Sequence, residues 1–439
     1  MAAVSCWSQP LALLRVQGLQ QSDAPQLKHF RKGTHLSTQR QQCGACRRVD
    51  QLFGSHLASG RQDSFLGNRQ LLTAASSAEH QNSANVERWN GGRAVAVLDF
   101  LQRVVPAKKP SDRVTLGPLK VSPMGIGTWA FGNRLLWGYE EEMDGELQDV
   151  FNLVVSRGIN LFDTADSYGT GRLNGKSELL LGKFIREYPG SEESKANIHV
   201  ASKFAPYPWR ITTGQMVDAC KASAKRLQME QVSVGQLHWS TANYQPLQER
   251  VLWDGLATMY EEGLVKAVGV SNYGPKQMLK IHKYLEVRGV PLASAQVQYS
   301  LISSGGMQQE IKAVCDDLGI RLISYSPLGL GMLTGKYSAE NVPKGPRGQL
   351  FRQILPGLTP LLETMRAIAA GRGKTLPQVA INWCVCKGTI PIPGAKSLVQ
   401  AEENLGALGW RLTDGEIRAL DDASTRIPRG MIQNIFQTK

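Results

Sequence analysis

The chain has 439 residues, enough for two or three average domains or for one α/β barrel of about 250 residues with extensions. A hydrophobic share of 42% and a charged share of 20% are ordinary for a globular protein. No apolar run reaches the roughly 18 to 20 residues that cross a bilayer, so no integral membrane position is expected. The formal net charge is +13, but it is spread along the chain without a basic run or a recognition module, and nucleic acid is therefore not an expected partner.

The first part of the chain is predicted to be a leader. Residues 1–49 contain seven Lys or Arg and a single acid, and they are rich in Gln and Ser, which is typical of organellar transit peptides. A plain disordered extension is the alternative. We expect residues 1–95 to form a transit peptide and disordered leader, and residues 110–439 to form the functional domain. Cys43 and Cys46 lie in the leader without a second pair of metal ligands, so no metal site is predicted.

From Val114 onward, short apolar or β-branched runs alternate with amphipathic stretches, a pattern that predicts βαβ units and a parallel sheet. A hairpin is predicted first, at Val114–Leu116 and Leu119–Val121, in a position to plug one end of a barrel. Eight strands follow, at Met124–Trp129, Asn160–Asp163, His199–Lys203, Val234–His238, Ala267–Ser271, Ser294–Gln298, Arg321–Tyr325 and Thr389–Pro393. The helices predicted between them are Glu146–Arg157, Ser177–Glu187, Gln215–Gln228, Pro246–Glu262, Pro275–Val287 and Gln309–Leu318.

The predicted strands end at or near residues that could contribute to a functional site, namely Thr128, Asp163, Lys203, His238, Ser271, Gln298, Tyr325 and Pro393. In a closed barrel all carboxyl ends of the strands converge on one face, where catalytic groups sit. An open doubly wound sheet would give the same alternation, but no GxGxxG follows the first strand. The predicted fold is a (β/α)8 TIM barrel with a short N-terminal hairpin and a disordered N-terminal extension. The longer interval after the seventh strand predicts an inserted loop near residues 330–360, suited to a lid over an extended ligand.

Four residues form a coherent set for reducing a carbonyl group: Asp163, Tyr168, Lys203 and His238. The reacting oxygen gains negative charge as hydride arrives, so it needs a proton donor and a polarising partner. A tyrosine is a weak acid at neutral pH, and an ammonium group beside Tyr168 would lower its pKa. Asp163 would balance the buried charge of Lys203, and His238 would donate a hydrogen bond to the carbonyl oxygen. Each residue alone has an ordinary structural explanation, but the set falls on consecutive strands and one rim.

The segments that carry these residues resemble the aldo-keto reductase superfamily. The resemblance runs from about Arg113 to Ala423, and its motifs are Gly125–Trp129, Leu161–Gly169, Ala201–Lys203, Leu237–Trp239, Val268–Tyr273, Gln296–Ser300 and Ser324–Leu328. It implies a nicotinamide-dependent oxidoreductase with Tyr168 as general acid and with Asp163, Lys203 and His238 completing a catalytic tetrad.

The resemblance also implies a cofactor site. Ser271, Asn272 and Gln298 match positions that bind the nicotinamide carboxamide, and Tyr325 matches the ring that stacks on the nicotinamide. The remaining positions implied to contact the cofactor are Thr128, Trp129, Ser326, Pro327, Leu328, Lys336, Gly394, Lys396, Gln400, Glu403 and Asn404, with Arg347 as a further phosphate contact. A lysine at 396 favours the 2′-phosphate of NADPH, although Gln400 stands where many family members have arginine.

The expected partner is a small-molecule aldehyde, and the sequence favours no oligomeric state. Aromatic residues follow several predicted strands and suit a planar substrate: Trp129, Phe131, Trp137, Phe204, Tyr207, Trp209 and Trp239. Residues 131–139, 169–175, 236–244 and 431–439 resemble a plastid branch of the family in plants that reduces pyridoxal to pyridoxine with NADPH, which also favours a chloroplast location. A general aldehyde-detoxifying reductase and an NADPH-binding regulatory subunit, like the potassium-channel β subunits of this fold, remain as alternatives.

Overall fold

The computed structural model describes residues 112–169, 175–428, 430–431 and 433–439. The predicted leader, residues 1–95 with Cys43 and Cys46, lies outside the described residues. Residues 110 and 111, the first two of the predicted domain, lie outside them as well. The strands are β1 Val114–Leu116, β2 Leu119–Val121, β3 Ile126–Gly127, β4 Leu161–Asp163, β5 His199–Phe204, β6 Val232–Leu237, β7 Val265–Ser271, β8 Leu292–Gln298, β9 Arg321–Tyr325 and β10 Ile390–Ile392. The helices are α1 Arg134–Trp137, α2 Asp144–Ser156, α3 Lys176–Glu187, α4 Glu192–Ala196, α5 Thr213–Leu227, α6 Pro246–Glu261, α7 Pro275–Val287, α8 Gly306–Asp317, α9 Pro346–Ile354, α10 Thr359–Arg372, α11 Leu376–Cys386, α12 Leu398–Leu405 and α13 Asp414–Thr425.

Strands β3 to β10 form one parallel sheet in chain order, as the sequence predicted. Two backbone hydrogen bonds join its first and last strands, from Gly125 N to Pro391 O (2.9 Å) and from Gly127 N to Pro393 O (3.1 Å). A Cβ on Gly127 would lie 2.9 Å from Ile392 O, so this close approach requires glycine. The sheet is therefore a closed barrel with no free edge among the described strands.

The hairpin fills the end of the barrel at which the strands begin. β1 and β2 pair antiparallel across Gly117, whose φ of 54° lies in the left-handed region. Leu116, Leu119 and Val121 pack with inward-facing barrel residues in a core of their own. At the turn, a Cβ on Gly117 would lie only 2.9 Å from Ala293 Cβ, which leaves no room for a side chain there.

A second and larger apolar core lies between the barrel and its surrounding helices. Every residue of β5, β6 and β8 is buried, as expected for parallel strands covered on both faces. Several helices start on local signals that the sequence already contains. Capping boxes at Thr212 and Thr375 open α5 and α11, and proline occupies the first turn of α6 and α7.

Candidate active site

One cavity of about 960 Å³ opens at the carboxyl ends of the barrel strands. Its volume falls within the range of small-molecule sites. All four residues of the predicted tetrad line it, Asp163, Tyr168, Lys203 and His238. Most of the predicted cofactor contacts line it as well: Trp129, Ser271, Asn272, Gln298, Tyr325, Ser326, Pro327, Leu328, Lys336, Arg347, Gly394, Lys396, Gln400, Glu403 and Asn404.

Thr128 is the predicted contact that does not line the cavity. It is fully buried, and its hydroxyl donates to the backbone oxygen of Asp163 (2.9 Å) and lies 2.7 Å from the hydroxyl of Ser177. Thr128 thus stabilises the end of β4 through the backbone of Asp163 and does not line the cavity.

Asp163 and Lys203 form a buried ion pair at the ends of β4 and β5. Lys203 Nζ lies 2.6 Å from Asp163 Oδ1, and the two side chains are only 1% and 3% exposed. The ammonium also donates to Thr164 O (2.6 Å). Burial lowers the pKa of Lys203, and the carboxylate of Asp163 opposes that shift. The pair confirms that a counter-charge for Lys203 comes from the neighbouring strand.

Two buried amides complete the surroundings of Asp163. Its Oδ2 accepts from Gln296 Nε2 (2.7 Å) and from Gln236 Nε2 at a longer 3.4 Å. Neither glutamine is among the site residues predicted from the sequence. The available signal was their position, since an amide inside a strand that is predicted to be buried needs a polar partner.

Tyr168 and His238 lie together at the mouth of the barrel. Lys203 Nζ is 4.8 Å from the centroid of the Tyr168 ring, and the rings of Tyr168 and His238 are 5.8 Å apart. Burial first, and then the charge of Lys203, hold the pKa of His238 well below its usual value, so the imidazole is neutral at neutral pH. The Ser167 hydroxyl lies 3.3 Å from His238 Nδ1. A hydroxyl that donates there leaves the proton on Nε2, as a hydrogen-bond donor.

Asn272 connects several parts of the site. Its φ of 61° is left-handed, which asparagine tolerates better than most residues. The side-chain amide donates to His238 O (3.0 Å) and Ser271 Oγ (3.1 Å), and its oxygen accepts from the Tyr325 hydroxyl (2.9 Å). Gln298, on the next strand, donates to Ser303 Oγ (2.7 Å). The ends of β6, β7 and β9 are thereby fixed relative to one another.

Three cationic side chains gather at the other end of the cavity. Burial is the main cause that lowers the pKa of Lys396; the charges of Arg347 and Lys336 add to it, and the carboxylate of Glu146 opposes it. Lys396 Nζ donates to Trp137 O (2.9 Å), and the Arg347 guanidinium lies 4.6 Å from the Trp137 ring centroid. Positive charges that raise one another's free energy in a cavity favour an anionic ligand.

Two further segments line the cationic end of the cavity, one after β9 and one around α12. The 3-10 segment Gly329–Thr334 follows β9 and contains left-handed residues at 330 and 331, and Ser326 just before it has a φ of 52°. At the start of α12, Gln400 Oε1 accepts from Lys396 N (2.9 Å), while Asn404 Nδ2 donates to Gly394 O (3.3 Å). The predicted insertion after the seventh strand is present and includes α9, which carries Arg347.

The tail of the chain covers part of the mouth, which the sequence did not predict. Gln433, Asn434 and Ile435 line the cavity, and the Phe436 ring stacks on Trp239 at 4.7 Å. Thr438 anchors the tail, because its hydroxyl accepts from Gly274 N (2.9 Å).

The predicted aromatic rim is only partly present. Trp129 and Trp137 line the cavity and meet edge to face at 5.8 Å. The expectation was wrong for Phe131 and Phe204, which are buried in the larger apolar core and do not line the cavity. Tyr207 and Trp209 stack on each other at 4.7 Å outside the cavity lining, and Trp239 lies beneath the tail.

Metal-binding clusters are absent from the described residues: no group of three or more His, Cys, Asp or Glu side chains there is arranged to hold a metal ion. No helix in the described part of the chain combines the length and apolarity needed to cross a bilayer.

Comparison with known proteins places this geometry in a wider context. A model of the aldo/keto reductase family matches residues 123–425. The chain is 66% identical to the chloroplastic pyridoxal reductase of Arabidopsis thaliana, over 78% of this chain and 94% of that protein. It is 35% identical to an uncharacterised oxidoreductase of Mycobacterium tuberculosis, over 70% of this chain and 90% of the relative. The solved structure of a glycerol dehydrogenase from Gluconobacter oxydans matches with a TM-score of 0.60 and 25% identity, covering 75% of this chain and 99% of that one.

Proposed function

Because the chain belongs to the aldo-keto reductase family, we propose that it reduces an aldehyde with NADPH, and that the aldehyde is pyridoxal, which becomes pyridoxine. The observation that carries the reaction type is the buried Lys203–Asp163 pair beside Tyr168 and a neutral His238, all lining one cavity.

The chain's own residues have complementary tasks in this proposal. NADPH supplies the hydride that reaches the carbonyl carbon. Tyr168 gives its hydroxyl proton to the carbonyl oxygen, and the Lys203 ammonium stabilises the phenolate that remains. Neutral His238 donates a hydrogen bond to the same oxygen and orients it. Hydride and proton together convert the aldehyde to a primary alcohol.

The cationic end of the cavity supports NADPH as the cofactor. Lys396, Arg347 and Lys336 line the same cavity, and a negative charge there would relieve their repulsion. The indole N–H of Trp137 beside them is buried without an acceptor among the described residues. A phosphate group offers acceptors for both kinds of donor. Ser271, Asn272, Gln298 and Tyr325 are the residues that would hold the nicotinamide at the opposite end.

We expect Lys396→Ala to weaken NADPH binding by about 10-fold to 100-fold and NADH binding much less, because the ammonium would contact a group that only NADPH carries. Isothermal titration calorimetry with each dinucleotide measures the difference. Lys374→Ala is a matched control, since Lys374 also donates to a backbone oxygen (Gly406 O, 3.4 Å) and lies near a tryptophan ring, but outside the cavity. Equal losses for NADPH and NADH would contradict the 2′-phosphate assignment.

Two observations support pyridoxal as the substrate. The relative at 66% identity is named for that activity. In addition, the Trp129 ring lines the cavity that contains Tyr168, and the tail residues narrow its mouth, which suits a flat ring carrying a short aldehyde.

The assay that tests the substrate compares kcat/KM for pyridoxal, pyridoxal phosphate and several unrelated aldehydes, with NADPH oxidation as the readout. We expect pyridoxal to give the highest value. A higher value for an unrelated aldehyde would indicate a general detoxifying reductase. Tight NADPH binding without turnover on any aldehyde would indicate a regulatory subunit.

We further propose that residues 1–95 direct the protein to the chloroplast. Their basic, acid-poor composition and the chloroplastic relative support this location. A fluorescent protein fused to residues 1–95 that stays in the cytosol of plant cells would contradict it.

A further inference from the structure

A buried carboxylate outside the cavity collects hydrogen bonds from the two loops that follow β6 and β7. Glu249 lies in the first turn of α6 and is 4% exposed. Among the described residues no ion pair joins it to a Lys, Arg or His. Its two oxygens instead accept six hydrogen bonds, which are donated by five residues.

The first group of donors comes from the loop after β6. Glu249 Oε1 accepts from Ser240 Oγ (2.9 Å), and Oε2 accepts from the backbone N–H of Thr241 and from Thr241 Oγ1 (2.9 Å). Ser240 and Thr241 follow His238 by two and three residues. The carboxylate therefore fixes the backbone that leaves His238.

The second group comes from the loop after β7 and its surroundings. Oε1 also accepts from the Tyr273 hydroxyl (2.6 Å), from Gln277 Nε2 (3.0 Å) and from Trp253 Nε1 (3.0 Å). Burial, and then the charge of Glu249, raise the pKa of Tyr273 well above its usual value, so its hydroxyl keeps the proton it donates. Tyr273 directly follows Asn272, which donates to His238 O (3.0 Å).

We propose that Glu249 is a positioning residue, which locks the loops carrying His238 and Asn272 into one arrangement and thereby sets the nicotinamide end of the site. Glu249 does not line the cavity, and it acts through the backbone on both sides. The proposal rests on the proposed function, because that function assigns the cofactor to this cavity. The effect of Glu249 should be confined to the nicotinamide end, since its hydrogen bonds go to residues 240–241, 253, 273 and 277 and to none of the three cationic residues.

Glu249→Gln tests the proposal with nearly unchanged volume. A glutamine has one acceptor oxygen and one NH2 group, and its nitrogen cannot accept. If that nitrogen replaces Oε2 it faces the N–H of Thr241, and if it replaces Oε1 it faces the N–H groups of Trp253 and Gln277. In either orientation at least one N–H loses its acceptor, so the hydrogen-bond network that joins the two loops is weakened. We expect kcat/KM for the aldehyde to fall by about 10².

The decisive measurement is the affinity for two ligands in the absence of aldehyde, determined by calorimetry on the full chain. NADPH reaches both ends of the cavity, whereas 2′,5′-ADP carries the adenosine and phosphate end alone. We expect Glu249→Gln to weaken NADPH by about tenfold and to leave the affinity for 2′,5′-ADP within about twofold. A loss confined to the larger ligand would locate the damage at the nicotinamide end.

A matched control lies on the same helix. Asp254 is also an acidic residue of α6, and it accepts from the Tyr284 hydroxyl of α7 and from Nη1 of Arg288 directly after α7 (3.0 Å), but its side chain is 35% exposed. Asp254→Asn should leave the affinities for both ligands unchanged. If Glu249→Gln does not fold, Tyr273→Phe takes its place, because it removes one donor and leaves no unsatisfied group. We expect it to weaken NADPH selectively, by a smaller factor.

The outcomes separate the two proposals. If the unmodified protein binds neither NADPH nor 2′,5′-ADP, the proposed function is wrong and this inference fails with it. If it binds both, and the variants lose both ligands equally or neither of them, only the positioning role of Glu249 is wrong.

Discussion

Tyr168→Phe should lower kcat for aldehyde reduction by a factor of about 10² or more, while NADPH binds as before. The substitution removes the hydroxyl proton and leaves the ring over which Lys203 Nζ lies, at 4.8 Å from the centroid. Neutral His238 cannot replace the proton donor efficiently, because donation would leave an imidazolate. Steady-state kinetics with pyridoxal and titration with NADPH measure the two quantities separately.

A matched control for this change is Tyr139→Phe. Tyr139 is buried, and its hydroxyl donates to Asp144 Oδ1 (2.7 Å) outside the cavity lining. Its loss should affect stability slightly and leave kcat unchanged. Turnover of Tyr168→Phe within about twofold of the unmodified enzyme would exclude Tyr168 as general acid and would direct attention to another donor at the mouth.

The barrel could be predicted because its strands are encoded locally. Each strand is a short apolar run next to an amphipathic helix, and all eight predicted strands are present with ends that shift by a few residues. The largest reduction is in the first, predicted at Met124–Trp129 and observed as Ile126–Gly127. Its glycines pack against β10, and β10 is more than 250 residues away in the chain. Alternation alone is equally typical of an open sheet, so closure depends on contacts that no local pattern contains.

The tetrad could be predicted for a related reason. In a parallel barrel the end of a strand fixes the face on which a residue lies, so Asp163, Lys203 and His238 had to converge. For side chains that act through long-range contacts, no local pattern indicates the partner. Thr438 binds Gly274 across 164 positions, and Gln296 reaches Asp163 across 133. In the sequence, Glu249 cannot be distinguished from the acidic residues that commonly occupy the first turn of a helix.

The buried pair at the base of the site leads to the second large effect. Lys203→Met keeps the length of the side chain but leaves the Asp163 carboxylate without its cation, in surroundings where both groups are nearly inaccessible to water. Removing one partner of a buried pair lowers the free energy of unfolding by about 3–5 kcal/mol. Turnover should also fall by about 10² or more, since the phenolate of Tyr168 loses its stabilising charge. Urea denaturation and steady-state kinetics measure these two losses.

A second substitution distinguishes the structural role of Lys203 from its chemical role. When Lys203→Met is combined with Asp163→Asn, no uncompensated charge remains, and the amide oxygen of the new side chain can still accept from Gln296. The double variant should therefore recover roughly half of the lost free energy of unfolding, because the cost of burying an unpaired charge disappears. Turnover should stay low, because no ammonium has returned beside Tyr168. Recovery of turnover in the double variant would mean that Lys203 only balances the charge of Asp163, and that the acidity of the phenol depends on other groups.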